Sequence, residues 1–402
     1  MRLLALVCAL MLAGSQAHAA AARWIGSWGA SPAPPLTAPP TAPRLGTPTF
    51  DNQTIVQVVR LSAGGRRLRV RLTNEYGVHP LEIGAARVAL VNKDGSVAPG
   101  SDRPLTFSGA ANATIPAGAP LVSDPLALPT KALSRLRVSL YLPTNTHGCT
   151  CHMSGSEFVQ VSPGEATRDA GPVSGSETFR AFLSGVEVES TLPPAPVILA
   201  FGDSITDGFT SATGANHRWP DRLAERLFAK WPGRPVGVVN AGIGGNRVLS
   251  DGGLAIFGQS ALTRFDRDVL SVPGATHVIV LEGVNDLGSS KTNPPTADAL
   301  IGGYRQLIAR GHAHGLKMIG ATILPYGGAA YFGEPGEAAR QAVNRWIRTS
   351  REFDAVIDLD AAIRDPARPE RMRADLQSGD WLHPNDAGYR VMGDAVDLSL
   401  FR

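Results

Sequence analysis

The sequence is short of cysteine, of charge of one sign and of long apolar runs, and each shortage argues against a class of protein. Only three cysteines occur in 402 residues. None stands where a lipid anchor would need it, because Cys8 lies too early to flank a signal-cleavage site. The formal net charge is +3, which leaves no electrostatic footprint for nucleic acid. The longest apolar run of note, residues 3–13, is too short to span a bilayer as a permanent helix. An apolar fraction of 43% beside 18% charged residues suits a packed core rather than a membrane protein. No internal repeat or low-complexity tract of consequence appears. Neither a nucleic-acid partner nor stable membrane insertion is expected, and oligomeric state cannot be read from these residues.

What is present begins with the pattern of a secretion signal. Arg2 precedes the apolar run, and Ala17-His18-Ala19 supplies a small-residue cleavage site, so residues 1–19 read as a signal peptide. The expectation is an exported protein, periplasmic or extracellular. Cys149 and Cys151 then remain in the mature chain, within His147-Gly148-Cys149-Thr150-Cys151-His152. Thiols and imidazoles so close together could hold a metal, but structural zinc sites draw ligands at wider spacing. A disulfide formed in an oxidising compartment, or two free thiols, is the preferred reading. No metal and no cofactor is expected.

A chain of this length suggests two domains, and its hydrophobic period changes once. Over residues 23–190 the period is two: Arg67-Leu68-Arg69-Val70-Arg71-Leu72 alternates, as does Arg135-Leu136-Arg137-Val138-Ser139-Leu140. Both read as half-buried strands with one solvated face. Residues 54–61, 87–91 and 179–189 add strands between Gly, Pro and Asn clusters, predicting an all-β, sandwich-like domain. Its opening, 31–48, is proline-rich and expected to be irregular. A linker at 191–196 follows, carrying Pro193, Pro194 and Pro196. Beyond it, apolar runs at 197–201, 236–239, 278–281, 318–324 and 356–359 alternate with amphipathic stretches at 219–230, 260–270, 299–313 and 337–350. Strands apolar on both faces and joined by helices predict a parallel sheet in a three-layer α/β domain over 197–402.

In such a sheet the ligand site lies outside the carboxyl ends of the strands. The first run ends in Gly202-Asp203-Ser204-Ile205-Thr206, and the second in Asn240-Ala241-Gly242-Ile243-Gly244-Gly245-Asn246. Glu282-Gly283-Val284-Asn285-Asp286 follows the third, and Asp380-Trp381-Leu382-His383 lies beyond the fifth. The fourth run yields Pro325-Tyr326-Gly327, read as a pocket wall. Together these are the parts of serine acyl chemistry. A serine hydroxyl needs a base to take its proton, which His383 can do near neutral pH. Asp380 can hold the other ring nitrogen. The main-chain N–H groups of Ser204 and Gly245, with the Asn285 amide, could bind an oxyanion.

These four clusters resemble the sequence blocks of the SGNH hydrolases, the GDSL-type esterases and lipases, with Ile205 where the family name has leucine. The resemblance covers about residues 196–402. It implies a flavodoxin-like sheet and metal-free ester hydrolysis through an acyl-serine intermediate. In this assignment Ser204, Asp380 and His383 are catalytic, and Ser204, Gly245 and Asn285 form the oxyanion hole. Gly245 takes its place by its distance from Asn240, Gly242 and Gly244 being the alternatives. The β-rich half is not explained by the resemblance.

Other polar residues have structural readings. Thr206 and Asp207 shape the nucleophile turn, and Asp286 braces the Asn285 loop. His277, His312 and His314 are structural or exposed, and Arg218 and Trp219 start a helix. The catalytic loops are rich in Gly, Asn, Thr and Ser, which predicts short acyl groups such as acetyl, the acylated alcohol being a polysaccharide. The same chemistry would serve a lipase or lysophospholipase, or acyl transfer to a sugar hydroxyl. Residues 254–257, Leu324, Tyr326, Tyr331 and Phe332 are candidates for an acyl trough. A carbohydrate-binding or adhesin-like protein with a retired catalytic domain is the reading from a different class.

Overall fold

The computed structural model of the protein describes residues 22–37, 46–168, 177–192 and 195–402. The expected signal segment, part of the proline-rich opening and Pro193–Pro194 lie outside the described residues.

The described residues up to 190 form two small two-stranded sheets, Leu81–Ile83 with Ala113–Ile115 and Cys151–His152 with Arg180–Ala181, and two five-stranded antiparallel ones. One runs in the order Arg23–Gly29, Leu183–Ser190, Gly65–Thr73, Pro120–Val122, with Leu126–Thr130 also paired to Gly65–Thr73. The other orders Val159–Pro163, Gln53–Arg60, Arg135–Leu142, Ala85–Val91 and Arg103–Pro104. The alternation works as expected in Gly65–Thr73, where Leu68, Val70 and Leu72 are buried. Arg67 and Arg69 on its opposite face pair with Glu189 and Glu187 of the neighbouring strand, a cross-strand arrangement of opposite charges. In Arg135–Leu142 the expected solvated face is covered instead. Arg137 and Ser139 are buried along with Leu136, Val138 and Leu140. Arg137 donates there to the carbonyls of Thr167 and Arg168, so the polar row is covered by chain that supplies acceptors.

The second half is a five-stranded parallel sheet. Numbered along the chain, its strands are Val197–Gly202, Gly237–Gly242, His277–Leu281, Lys317–Ala321 and Ala355–Ile357, and they lie side by side in the order 2-1-3-4-5. That is the flavodoxin-like order, whose topological switch falls between the first and third strands. The first strand is buried throughout, as expected of a strand covered by helices on both faces. Helices at Trp219–Lys230, Ala297–Ala313, Glu334–Thr349 and Asp386–Ala395 provide the layers. Trp219–Lys230 buries Trp219, Leu223, Ala224 and Leu227 along one stripe and has Pro220 in its first turn. The stretch expected as one helix at 260–270 is an α-helical Ala261–Phe265 followed by a π-turn, Asp266–Leu270. The wider turn lets Asp268 meet both Arg264, at 2.9 Å, and Arg267, at 2.6 Å.

The two halves are packed directly together. Gly26 N–H donates to the Pro273 carbonyl at 2.9 Å, and Val238 N–H to Ser62 Oγ at 2.8 Å. A Cβ at Gly26 would fall 2.5 Å from Val272 Cγ1, so this approach requires glycine. Arg60 pairs with Glu225 at 2.9 Å, and Tyr76 donates to Gln259 at 2.8 Å. No helix among the described residues is long and apolar enough to cross a membrane.

Candidate active site

The first parallel strand runs into a single helical turn, Ser204–Asp207. Asp203 caps it, its carboxylate accepting from Ile205 N–H at 2.9 Å, and Gly208 ends it at φ 95°. Ser204 is thereby presented as the first residue of a turn rooted in a buried strand. The turn leans so closely on the second strand that a Cβ at Gly242 would lie 2.3 Å from Asp207 N. Asn240 fastens the contact, donating to the Thr206 carbonyl at 2.8 Å and accepting from Gly242 N–H at 2.9 Å.

Ser204 Oγ lies 2.8 Å from His383 Nε2, and His383 Nδ1 lies 2.6 Å from Asp380 Oδ2. The other Asp380 oxygen accepts from Leu382 N–H and His383 N–H, both at 2.9 Å, and from Ser378 Oγ. The carboxylate thus holds its own loop in shape while holding the ring. The Phe209 ring packs 4.7 Å from His383. Burial pulls the imidazole below its ordinary value, with the Asp380 carboxylate opposing. Burial would raise Asp380, but its hydrogen bonds from His383 and Leu382 prevail and hold it below the usual carboxylate range.

Ser204, Gly245 and Asn285 line one cavity of about 400 Å³ together with His383. Gly245 sits at φ 75°, and a Cβ there would strike the Phe257 ring at 2.5 Å. Asn285 donates through Nδ2 to the Asn246 carbonyl at 3.0 Å, while Tyr331 OH donates to its Oδ1 at 3.2 Å. The amide is therefore oriented, with one of its two N–H bonds committed. Asp286 does more than brace its own loop. It reaches across to accept from Val248 and Leu249 N–H at 2.8 and 3.0 Å. Burial pushes its carboxyl up to about 6, against those two bonds. Beneath Ser204, burial and the nearby Asp286 push Asp203 up to about 7.

The expectations for the wall need correction. Of the expected trough, Ile256, Phe257 and Tyr331 line the cavity, and Leu254, Ala255, Leu324, Tyr326 and Phe332 do not. Tyr326 is fully buried behind Tyr331 and Phe332, their rings 5.9 and 5.3 Å away. The wall is made by Met153, Phe209, Ile243, Ile256, Phe257, Tyr331 and Leu382, more apolar than the loop composition suggested.

Sequence reasoning missed the contribution of the β-rich half. Met153 and Ser154 line the cavity, and so does His152. The imidazole is buried, with Nδ1 3.0 Å from the Ser31 carbonyl and Nε2 2.9 Å from Asp207 Oδ1. Both ring nitrogens face acceptors, which only the imidazolium satisfies. Burial pulls its pKa down, but the Asp207 charge and hydrogen bond outweigh that and raise it overall. Asp207, read as a turn former, is thus half of a buried ion pair three residues from Ser204. Cys149 and Cys151 are joined as a disulfide one residue before His152, and among the described residues no cluster of His, Cys, Asp or Glu could hold a metal ion. Arg264 was missed as well. Fully buried, it donates to the strand-end carbonyls of Gly202 and Ala241 at 2.8 and 2.7 Å and to Asn246 Oδ1 at 2.8 Å. It ties the nucleophile strand to the glycine loop. His277 and His312 have the structural places expected, His312 pairing with Asp354 at 2.8 Å. Arg218 and Trp219 start the helix and do not line the cavity.

Residues 200–391 match the model of the GDSL-like lipase/acylhydrolase family. Among solved structures, the chain is similar to a carbohydrate acetylesterase family member from Sinorhizobium meliloti, at 17% identity, over 51% of this chain and 97% of that one, with a TM-score of 0.42. An acetyl xylan esterase from Geobacillus stearothermophilus matches at 21% identity over 50% and 92%, TM-score 0.39. A GDSL-like lipase from Bacteroides thetaiotaomicron VPI-5482 matches at 19% over 49% and 84%, TM-score 0.36. At these identities and scores none bears on the chemistry. No curated protein matches the sequence significantly.

Proposed function

We propose that this chain, whose residues 200–391 form a GDSL-like lipase/acylhydrolase domain, hydrolyses carboxylic esters through an acyl-Ser204 intermediate. The observation that carries the reading is the relay Ser204 Oγ–His383 Nε2, 2.8 Å, and His383 Nδ1–Asp380 Oδ2, 2.6 Å. In acylation, His383 takes the Ser204 proton as Oγ attacks the ester carbonyl. Asp380 keeps the ring in the tautomer whose Nε2 is free to accept, then stabilises the imidazolium. The carbonyl oxygen becomes an oxyanion, bound by the N–H groups of Ser204 and Gly245 and the uncommitted Asn285 N–H. Collapse breaks the bond to the alcohol oxygen, which leaves with the His383 proton. Water, activated by the same imidazole, then releases the acid and restores Ser204.

The preferred substrate is a short-chain ester, acetyl above all, of a polysaccharide met outside the cytoplasm. Gly, Asn and Ser residues around the nucleophile supply hydrogen-bonding groups rather than a long trough, and the remaining cavity would seat the alcohol part. The apolar wall of Met153, Ile256, Phe257 and Leu382 favours a second reading in which a longer acyl chain lies there, since each buried CH₂ contributes about 0.8 kcal/mol. Initial rates on p-nitrophenyl esters from C2 to C16 separate the two. A fall in kcat/KM beyond about four carbons supports the deacetylase, and a maximum at C8 or longer establishes the lipase. No turnover of any member refutes the esterase.

A further inference from the structure

Arg247 follows the glycine loop, and its backbone is clamped on both sides. Asn246 beside it is buried and makes three side-chain hydrogen bonds, to Phe257 O and Gln259 O at 2.8 Å and from Arg264 at 2.8 Å. The Arg247 carbonyl accepts from Ala261 N–H at 2.8 Å, and the next two N–H groups are held by Asp286. The side chain is the opposite. It lines the cavity with Ser204, Gly245 and Asn285, its Nε is buried without a hydrogen-bond partner, and no carboxylate among the described residues pairs with it. Its charge is felt at Tyr331 and at Asp286, on the cavity's Asn285 side.

The other ionic groups on that wall are already satisfied. His152 and Asp207 neutralise one another at 2.9 Å, and the Asp380 carboxylate is taken up by the His383 ring and by the N–H groups of its own loop. One cation is left over, on a clamped loop, in the wall of the cavity that Ser204 also lines. A half-buried guanidinium with no carboxylate in contact is costly unless a ligand supplies one. Its planar fork suits a carboxylate, which it can bind through two parallel hydrogen bonds.

Building on the esterase reading, we propose that Arg247 recognises a carboxylate on the substrate, so that the preferred ester is an acylated acidic sugar, a uronic-acid glycan rather than a neutral one. The guanidinium binds the carboxylate of the sugar while the ester carbonyl lies against Ser204. It is a specificity residue and takes no part in bond making.

The test compares wild type, Arg247→Gln and Arg247→Lys on pairs of acidic and neutral esters: 4-acetoxybenzoate against its methyl ester, and O-acetylated oligogalacturonides against O-acetylated xylo-oligosaccharides. In wild type the acidic member of at least the glycan pair should be favoured, and the preference should shrink as salt rises. Arg247→Gln should lose about 10–100-fold in kcat/KM on the acidic member, chiefly through KM, the size expected for a charged hydrogen bond. Its loss on the neutral member and on p-nitrophenyl acetate should be at least several-fold smaller, and Arg247→Lys should recover part of the loss on the acidic member. Equal loss on both members, or a wild type active on p-nitrophenyl acetate but indifferent to charge, overturns the inference and leaves the esterase standing. A wild type inactive on p-nitrophenyl acetate as well overturns both.

Discussion

The chemistry assigned to this protein rests on a few atoms whose distances are set by residues that do not react. Ser204→Ala should abolish p-nitrophenyl acetate turnover, a loss of several orders of magnitude, while the melting curve stays intact; wild-type turnover in that variant would falsify the assignment. Asn285→Ala should lower kcat by about 10²–10³-fold with KM little changed, because its N–H acts on charge that develops in the transition state. Tyr331→Phe is a milder probe of the same donor. It removes one of the two bonds that orient the Asn285 amide, so it should lower kcat less than Asn285→Ala and in the same direction. The pH profile follows from His383. The base must be neutral, and burial holds its pKa below the ordinary 6.5, so the acid limb of kcat/KM should be centred below pH 6.5. An acid limb centred above 6.5 contradicts that placement.

At the scale of single elements, the two-residue strand Cys151–His152 carries more than its length suggests. It pairs with Arg180–Ala181, is tied by the adjoining disulfide, and delivers a buried imidazolium to the turn that bears Ser204. Removing one member of a buried ion pair leaves the other charge without compensation, so His152→Ala should cost about 3–5 kcal/mol of stability. The sign with pH is fixed by the raised folded pKa. The contribution is complete below the unfolded value of about 6.5 and is lost as pH rises through the higher folded value. Urea midpoints of wild type and His152→Ala should therefore differ most at pH 6 and converge in alkali. A constant difference across that range would show that His152 is not titrating against Asp207.

For the whole molecule, the change of hydrophobic period predicts a β-rich unit that could be removed with little harm to small-ester activity. The packing points the other way. Cutting before residue 192 would strip Met153 and Ser154 from the cavity wall, leave Asp207 unpaired, and uncover the second parallel strand where Gly26 and Ser62 now rest. We expect a fragment of 192–402 to melt at lower temperature and to lose most p-nitrophenyl acetate activity. A folded fragment with wild-type kcat/KM would make the β-rich half an accessory to large substrates alone. Activity of the full chain should persist in EDTA, since Ser204 and His383 supply nucleophile and base without a Lewis acid; loss on chelation and recovery with metal would count against the mechanism.

The parallel strands and the four polar clusters at their ends were legible in the sequence because both signals are local. A buried strand shows as an unbroken apolar run, and a catalytic loop as polar and glycine residues that the run has no reason to contain. Gly245 was picked out only through the family resemblance, by its distance from Asn240, and the structure puts it in the wall of the cavity with Ser204. What stayed hidden depends on who meets whom. His152 looks like part of a cysteine–histidine cluster until the fold sets Asp207 against it, 55 residues away. Arg264 lies unremarked in the amphipathic stretch 260–270, and only the fold shows it capping two strand ends. Tyr326 and Tyr331 are five residues apart and equally aromatic, yet one is sealed in the core and the other faces the cavity. Pattern along the chain reports burial and turn chemistry, which are properties of neighbours in sequence. Partnership between side chains is a property of distance in space, and tertiary packing, within the second half for Arg264 and between the halves for His152, decided it.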